Sequence, residues 1–170
     1  GTAARGTSPH EDRANARWLY RSEKNRAENV MIVDMIRNDL GRIARTGTVR
    51  VSRLYAVEKY PTVWQMTSTV EARTAASLPH ILRALFPCAS ITGAPKVKTM
   101  EIIASIETTP RNIYTGAIGF IGPDRCARFS VAIRTILIDK AASLAEYGVG
   151  GGIVWDSTAG EEYEECLTKA

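Results

Sequence analysis

Histidine is nearly missing from this 170-residue chain, which has only His10 and His80, and its three cysteines, Cys88, Cys126 and Cys166, are widely scattered. Neither a zinc site of the usual spacing nor a disulfide framework can be assembled from them. Reduced thiols in a cytoplasmic protein are the simplest expectation. No apolar run reaches the roughly twenty residues of a membrane span, so no membrane role is expected. A Walker loop is also lacking, because no Gly-Lys-Ser/Thr follows a glycine-rich loop. Gly148-Val-Gly-Gly-Gly152 leads into the strand-like Ile153-Val-Trp155, without the helix that a dinucleotide fingerprint requires.

The net charge of +4 is uneven: residues 1–53 hold eleven Lys/Arg against six Asp/Glu, and the remainder is close to neutral. Arg13, Arg17, Arg21 and Lys24 fall at helical spacing, which suits a solvated helix face better than nucleic-acid binding. No nucleic-acid partner is expected.

Apolar residues make up 45% of the chain, and no linker, repeat or low-complexity tract interrupts it, so one domain spanning 1–170 is the expectation. Periodicity predicts a loop over 1–9, helices over 11–26, 28–44, 78–86 and 90–107, and a last helix over 158–169. Strands are predicted over 49–54, 56–60, 62–71, 114–122, 127–138 and 144–149. Short strands joined by turns, with helices entering in blocks, give an α+β fold built on antiparallel sheets.

Five segments carry chemistry. Ser90-Ile-Thr-Gly-Ala-Pro-Lys96 reads as a helix start in which Ser90 and Thr92 cap and Pro95 opens the first turn. Unpaired N–H groups there, with the charge of Lys96, would receive an anion; an ordinary capped helix is the plain alternative. Glu162 and Glu165 share one face of the last helix, with Glu161 and Glu164 beside them. Such a face suits Mg²⁺ or, alternatively, a solvated acidic helix start. Glu28 begins an apolar helix and is free to face a site, whereas Asp34, Arg37 and Asp39 read as a buried polar network. The glycines Gly150, Gly151 and Gly152 would let backbone approach a carboxylate, or mark a bulge. Arg134 is a lone charge in an apolar strand, paired either within the fold or with a carboxylate ligand. Together these suit a small, multiply anionic substrate held through a metal.

The same segments resemble the chorismate-utilising enzymes, the family of anthranilate, aminodeoxychorismate, isochorismate and salicylate synthases. The resemblance runs in order through Ala27-Glu-Asn…Val33-Asp…Arg37-Asn-Asp-Leu40, Ser90 to Lys96, Tyr114-Thr-Gly-Ala-Ile-Gly119, Ala132-Ile-Arg-Thr135, Gly150-Gly-Gly-Ile-Val154, Asp156-Ser157 and Glu162-Tyr-Glu-Glu165. The wording of Ile91 to Lys96 and of Arg26 to Asp34 is most similar to the aminodeoxychorismate synthase component I branch. Gln65 stands where anthranilate synthases usually have histidine, which argues against that branch, the alternative reading. A non-catalytic chorismate-binding module is a further alternative.

The resemblance implies part of the family's α/β sandwich, and conversion of chorismate and ammonia to 4-amino-4-deoxychorismate for p-aminobenzoate and folate synthesis. It implies Mg²⁺ held by Glu28, Glu162 and Glu165 at the ring carboxylate. Arg134 and Tyr114 would bind the enolpyruvyl carboxylate, with Thr92 and the Gly150, Gly151 and Gly152 backbone completing the pocket. Lys96 carries over only as a charge near the site. A glutamine amidotransferase would be the partner, and an aminodeoxychorismate lyase domain could follow. The match is to the C-terminal portion of the family's domain. The lysine proposed as nucleophile precedes the position of Gly1, so this chain alone is expected to be inactive, with open strand edges and bare apolar surface.

Overall fold

A computed structural model of the chain describes residues 1–155 and 157–169. The chain divides into two compact units, Gly1–Leu85 and Phe86–Ala170.

In the first unit, β1 (Thr2–Ala4), α1 (Pro9–Arg21), α2 (Glu23–Gly41), β2 (Arg50–Lys59), β3 (Val63–Glu71) and α3 (Leu78–Leu85) follow in order. Ser8 caps α1 by accepting from the Glu11 N–H, Pro9 occupies the first turn, and Glu11 and Asp12 suit the positive end of the helix. Ser22 closes α1 and caps α2, accepting from the Asn25 N–H. The three strands form an antiparallel sheet in the order β1-β3-β2. Thr2 pairs with Gln65 and Ala4 with Val63, and the Gly1 carbonyl accepts from the Met66 N–H at 2.8 Å. The core of this unit is Leu19, Val33, Met66 and Ala84.

β1 lies where a loop is expected from 1–9. Three residues carry too little alternation to announce a strand, and the partner that makes it one is distant in the chain. The two strands expected over 49–60 are one strand with a shifted register between Val51 and Ala56. Tyr55 adopts φ 54° there, and its N–H donates to Ser68 Oγ at 3.0 Å. Ser68 in turn donates to Asn29 Oδ1 of α2 at 2.5 Å, so the bulge is tied to the helix. The expected buried network is also corrected. Asp34 and Arg37 form a surface pair at 2.8 Å with side chains 65% and 53% exposed, and only Asp39 is buried. Asp34 follows buried Val33 by one residue, and a 100° step carries it off the core-facing stripe.

The second unit contains α4 (Ala89–Thr92), α5 (Lys96–Ile106), β4 (Ala117–Ile121), β5 (Ala127–Val131), β6 (Ile136–Asp139), β7 (Leu144–Tyr147) and α6 (Ala159–Lys169). The helix expected over 90–107 is broken. Gly93 turns the chain with φ 94° and ψ −173°, and Pro95 is the N-cap of α5 rather than part of its first turn. Ser90 and Thr92 sit in the short α4, and Pro95 offers no side-chain cap. Val97 and Ile106, apolar residues of α5, are 72% and 70% exposed.

The long strand expected over 127–138 is interrupted at Ala132–Thr135, giving two separate hairpins, β4–β5 and β6–β7. The interruption is a backbone feature: the Ala132 N–H donates to Gly116 O and its carbonyl accepts from the Thr115 N–H, both at 2.8 Å. Only Ala89 and Ala132 are buried apolar residues in this unit among those described. Ile118, Phe120, Ile136, Ile138 and Trp155 are at least half exposed.

Candidate functional site

In the first unit, Glu28 is half-buried on α2. Asn29, next along the helix, braces Ser68 and the β2 bulge, a role that its place in the motif did not disclose.

In the second unit the start of α6 gives Glu161 and Glu162 different partners. Thr158 Oγ1 donates to Glu161 Oε2 at 2.8 Å and accepts from the Glu161 N–H at 3.4 Å, so Glu161 serves the helix end. Ser157 Oγ donates to Glu162 Oε1 at 2.6 Å and itself accepts from the Val154 N–H at 3.0 Å. Glu162 Oε2 is buried with no hydrogen-bond partner. A carboxylate steered by a serine, with its second oxygen buried and unsatisfied, is a donor suited to a hard cation. Glu165 is exposed on the same helix. Within neither unit do three His, Cys, Asp or Glu side chains cluster as a complete metal cage, among the described residues. Asp156 lies outside the described residues.

Tyr114 is the most constrained of the expected ligand residues. Its backbone turn uses two left-handed non-glycine residues, Asn112 at φ 51° and Thr115 at φ 64°. Asparagine tolerates that region, but a β-branched threonine there is a strained position. The Tyr114 ring covers Gly148 so closely that a Cβ at that glycine would run into it, and a Cβ at Gly150 would lie 2.8 Å from the phenol oxygen. Two parts of the expected pocket, Tyr114 and the glycine loop, are therefore in contact. Gly150 and Gly151 are exposed, and Gly152 faces open space. The glycine that close packing demands is Gly148.

Thr92 is half-buried and donates to Cys88 O at 3.3 Å. It lines a cavity of about 480 Å³ together with Met100, Ile103, Glu107, Arg111 and Thr115. Lys96 opens α5 and is half-buried. Arg134 is exposed, with φ 51°, in the turn between β5 and β6 instead of inside a strand. Cys88, Cys126 and Cys166 are free thiols. No helix among the described residues is long and apolar enough to cross a membrane.

Three comparisons with known proteins bear on this arrangement. The family model described as chorismate binding enzyme matches residues 1–170. Over 172 aligned residues and 100% of this chain, an aminodeoxychorismate synthase from Streptomyces pristinaespiralis is 46% identical, and an aminodeoxychorismate synthase component 1 from Bacillus subtilis is 45% identical. The chain spans 24% and 36% of those two relatives. Among solved structures, anthranilate synthase component I from Streptococcus pneumoniae superposes with a TM-score of 0.87 at 35% identity, covering 99% of this chain and 40% of that one.

Proposed function

Because this chain belongs to the chorismate binding enzyme family, we propose that it is part of an aminodeoxychorismate synthase component I. The reaction would convert chorismate and glutamine-derived ammonia to 4-amino-4-deoxychorismate, the precursor of p-aminobenzoate and folate. Identity of 46% to an aminodeoxychorismate synthase and of 45% to an aminodeoxychorismate synthase component 1, both over the whole chain, is the observation that carries the reading. Chorismate is a small dicarboxylate, and the residues proposed to meet it suit one. Arg134 would offer a planar fork to the enolpyruvyl carboxylate, and Tyr114 a phenol hydroxyl to the same group. Thr92 and the Gly150–Gly152 backbone would close the pocket with small donors. Lys96 would add positive charge at the start of α5.

Glu28, Glu162 and Glu165 would hold Mg²⁺, and the unsatisfied Oε2 of Glu162 supports that assignment. The chemistry supplied by the bound ion is neutralisation and polarisation of the ring carboxylate. Ser157, by occupying Oε1 of Glu162, leaves Oε2 as the oxygen that would be offered to the ion. A glutamine amidotransferase would supply ammonia, an aminodeoxychorismate lyase would consume the product, and the setting would be cytoplasmic with all three thiols reduced.

Thermal unfolding of the chain with Mg²⁺, with chorismate and with both tests the reading. A rise in Tm with both together is expected, since ligand bound to the native state stabilises it. No rise with both, together with no heat of binding by calorimetry, would overturn it. The 35% identity to an anthranilate synthase component I favours a second reading. Product analysis of the whole enzyme separates the two, because anthranilate fluoresces and aminodeoxychorismate needs a lyase to become p-aminobenzoate.

A further inference from the structure

Among the described residues of the second unit, Glu107 and Arg111 form the ion pair with the most hydrogen bonds. Arg111 Nε lies 2.8 Å from Glu107 Oε2 and 3.1 Å from Oε1, and Nη2 lies 2.6 Å from Oε1. Their spacing of four residues looks like an ordinary helix pair, but α5 ends at Ile106 and Glu107 is its C-cap. The pair therefore spans the loop Thr108-Thr109-Pro110, and both side chains are mostly withdrawn from water, at 37% and 27% exposed. No helix holds it together; the ion pair itself closes the loop.

On its far side the Arg111 guanidinium lies 5.9 Å from the centre of the Tyr114 ring. That is within reach of a cation–π attraction. The backbone repeats the link, because the Tyr114 N–H donates to Arg111 O at 2.9 Å. The next residue, Thr115, is fastened to Ala132 O at 2.8 Å. Tyr114 is thus flanked by Arg111 and packed directly on Gly148, with its hydroxyl beside Gly150.

We propose that Glu107 and Arg111 are positioning residues for Tyr114, holding its phenol over the Gly148–Gly150 backbone in the orientation that receives an anionic ligand. The Glu107 carboxylate holds Arg111, and the Arg111 guanidinium in turn lies 5.9 Å from the centre of the ring. Loss of Glu107 leaves a half-buried guanidinium without its fork, which then swings to water and frees the ring. The ligand half of the inference rests on the reading of Tyr114 given under the proposed function; the positioning half does not.

The test uses the full chain with labelled tyrosine rings. Wild type should show nuclear Overhauser contacts between the Tyr114 ring and Gly148 Hα. E107A and R111M should lose most of that intensity, while E107D restores part of it and R111K, which keeps the charge without the fork, restores less. Unchanged ring contacts in folded E107A overturn the positioning role; if E107A does not fold, R111K decides by the same readout. Titration with chorismate and Mg²⁺ should show about a tenfold weaker Kd in E107A, the effect of one lost polar contact. Lost ring contacts with an unchanged Kd overturn the ligand half. A wild type that binds no chorismate overturns the functional reading, and the ring contacts still decide the positioning.

Discussion

Trp64 Nε1 donates to Asp12 Oδ1 at 2.8 Å, joining β3 to the first turn of α1. The same carboxylate receives Arg5 through Nε and Nη2, both at 2.7 Å, and the Gly6 N–H at 3.0 Å. Arg5 also lies over the Trp64 ring at 5.3 Å. One buried side chain thus ties together the segment after β1, helix α1 and strand β3. Asp12→Asn keeps the size and removes the charge that Arg5 pairs with. Tm should fall by roughly 5 °C or more, with a shift in Trp64 emission. Trp64→Phe, which removes one hydrogen bond and leaves Arg5–Asp12 intact, should lower Tm by less.

The pH dependence follows from the same network. Hydrogen bonds from Arg5 hold Asp12 well below its ordinary value of 3.8. Thr7 lowers Glu11, Ser52 and Arg50 lower Glu71, and Arg111 lowers Glu107, all from an ordinary 4.5. Each group binds its proton less readily folded than unfolded. Their stabilisation is therefore complete above the unfolded values and is lost as pH falls through the folded ones. Urea midpoints should be flat from pH 7 to about 5 and fall steadily below about 4.5. A midpoint that stays level to pH 3 would contradict this.

Glu162→Gln separates the metal reading from a structural one. Without added ion, the amide keeps the shape and leaves the same buried position without a partner, so Tm should change little. With Mg²⁺ and chorismate, the Tm rise of wild type should vanish. Glu161→Gln, at the helix cap, should leave that rise in place. Equal behaviour of the two variants would remove Glu162 from the metal set.

Gly93 is required for its backbone and not for space. A Cβ there would meet Thr99 Cγ2 at 3.4 Å, an ordinary contact, but φ 94° with ψ −173° is a region that only glycine enters easily. Gly93→Ala should cost about 1–3 kcal/mol in chemical unfolding. A change within a few tenths would show that the turn between α4 and α5 relaxes.

The helices α1, α2, α3 and α6 and the strand β3 were legible because each carries a periodic stripe or a cap of its own. The Asp34 face was misread because a local apolar neighbourhood says nothing about which side of α2 meets the sheet. Breaks at Gly93 and at Ala132–Thr135 were missed for a related reason. Both depend on backbone hydrogen bonds and dihedral angles, to which apolar spacing is blind. Of the site, the glutamates and Tyr114 could be picked out by motif. Ser157 lies in one of the quoted motifs, but its bond to Glu162 is a side-chain contact that no spacing announces. Glu107 and Arg111, beside Tyr114, belong to no motif, and their pairing across a loop leaves no periodic trace.

On the hairpins β4–β5 and β6–β7, Ile118, Phe120, Ile121, Ile136 and Ile138 are at least half exposed. Bare isoleucine and phenylalanine on two-stranded ribbons are the material that holdase chaperones grip and that drives association as concentration rises. Handled by itself, this chain should therefore meet a colloidal limit: dilution, detergent or a covering partner should govern its lifetime in solution before the strength of its small core does.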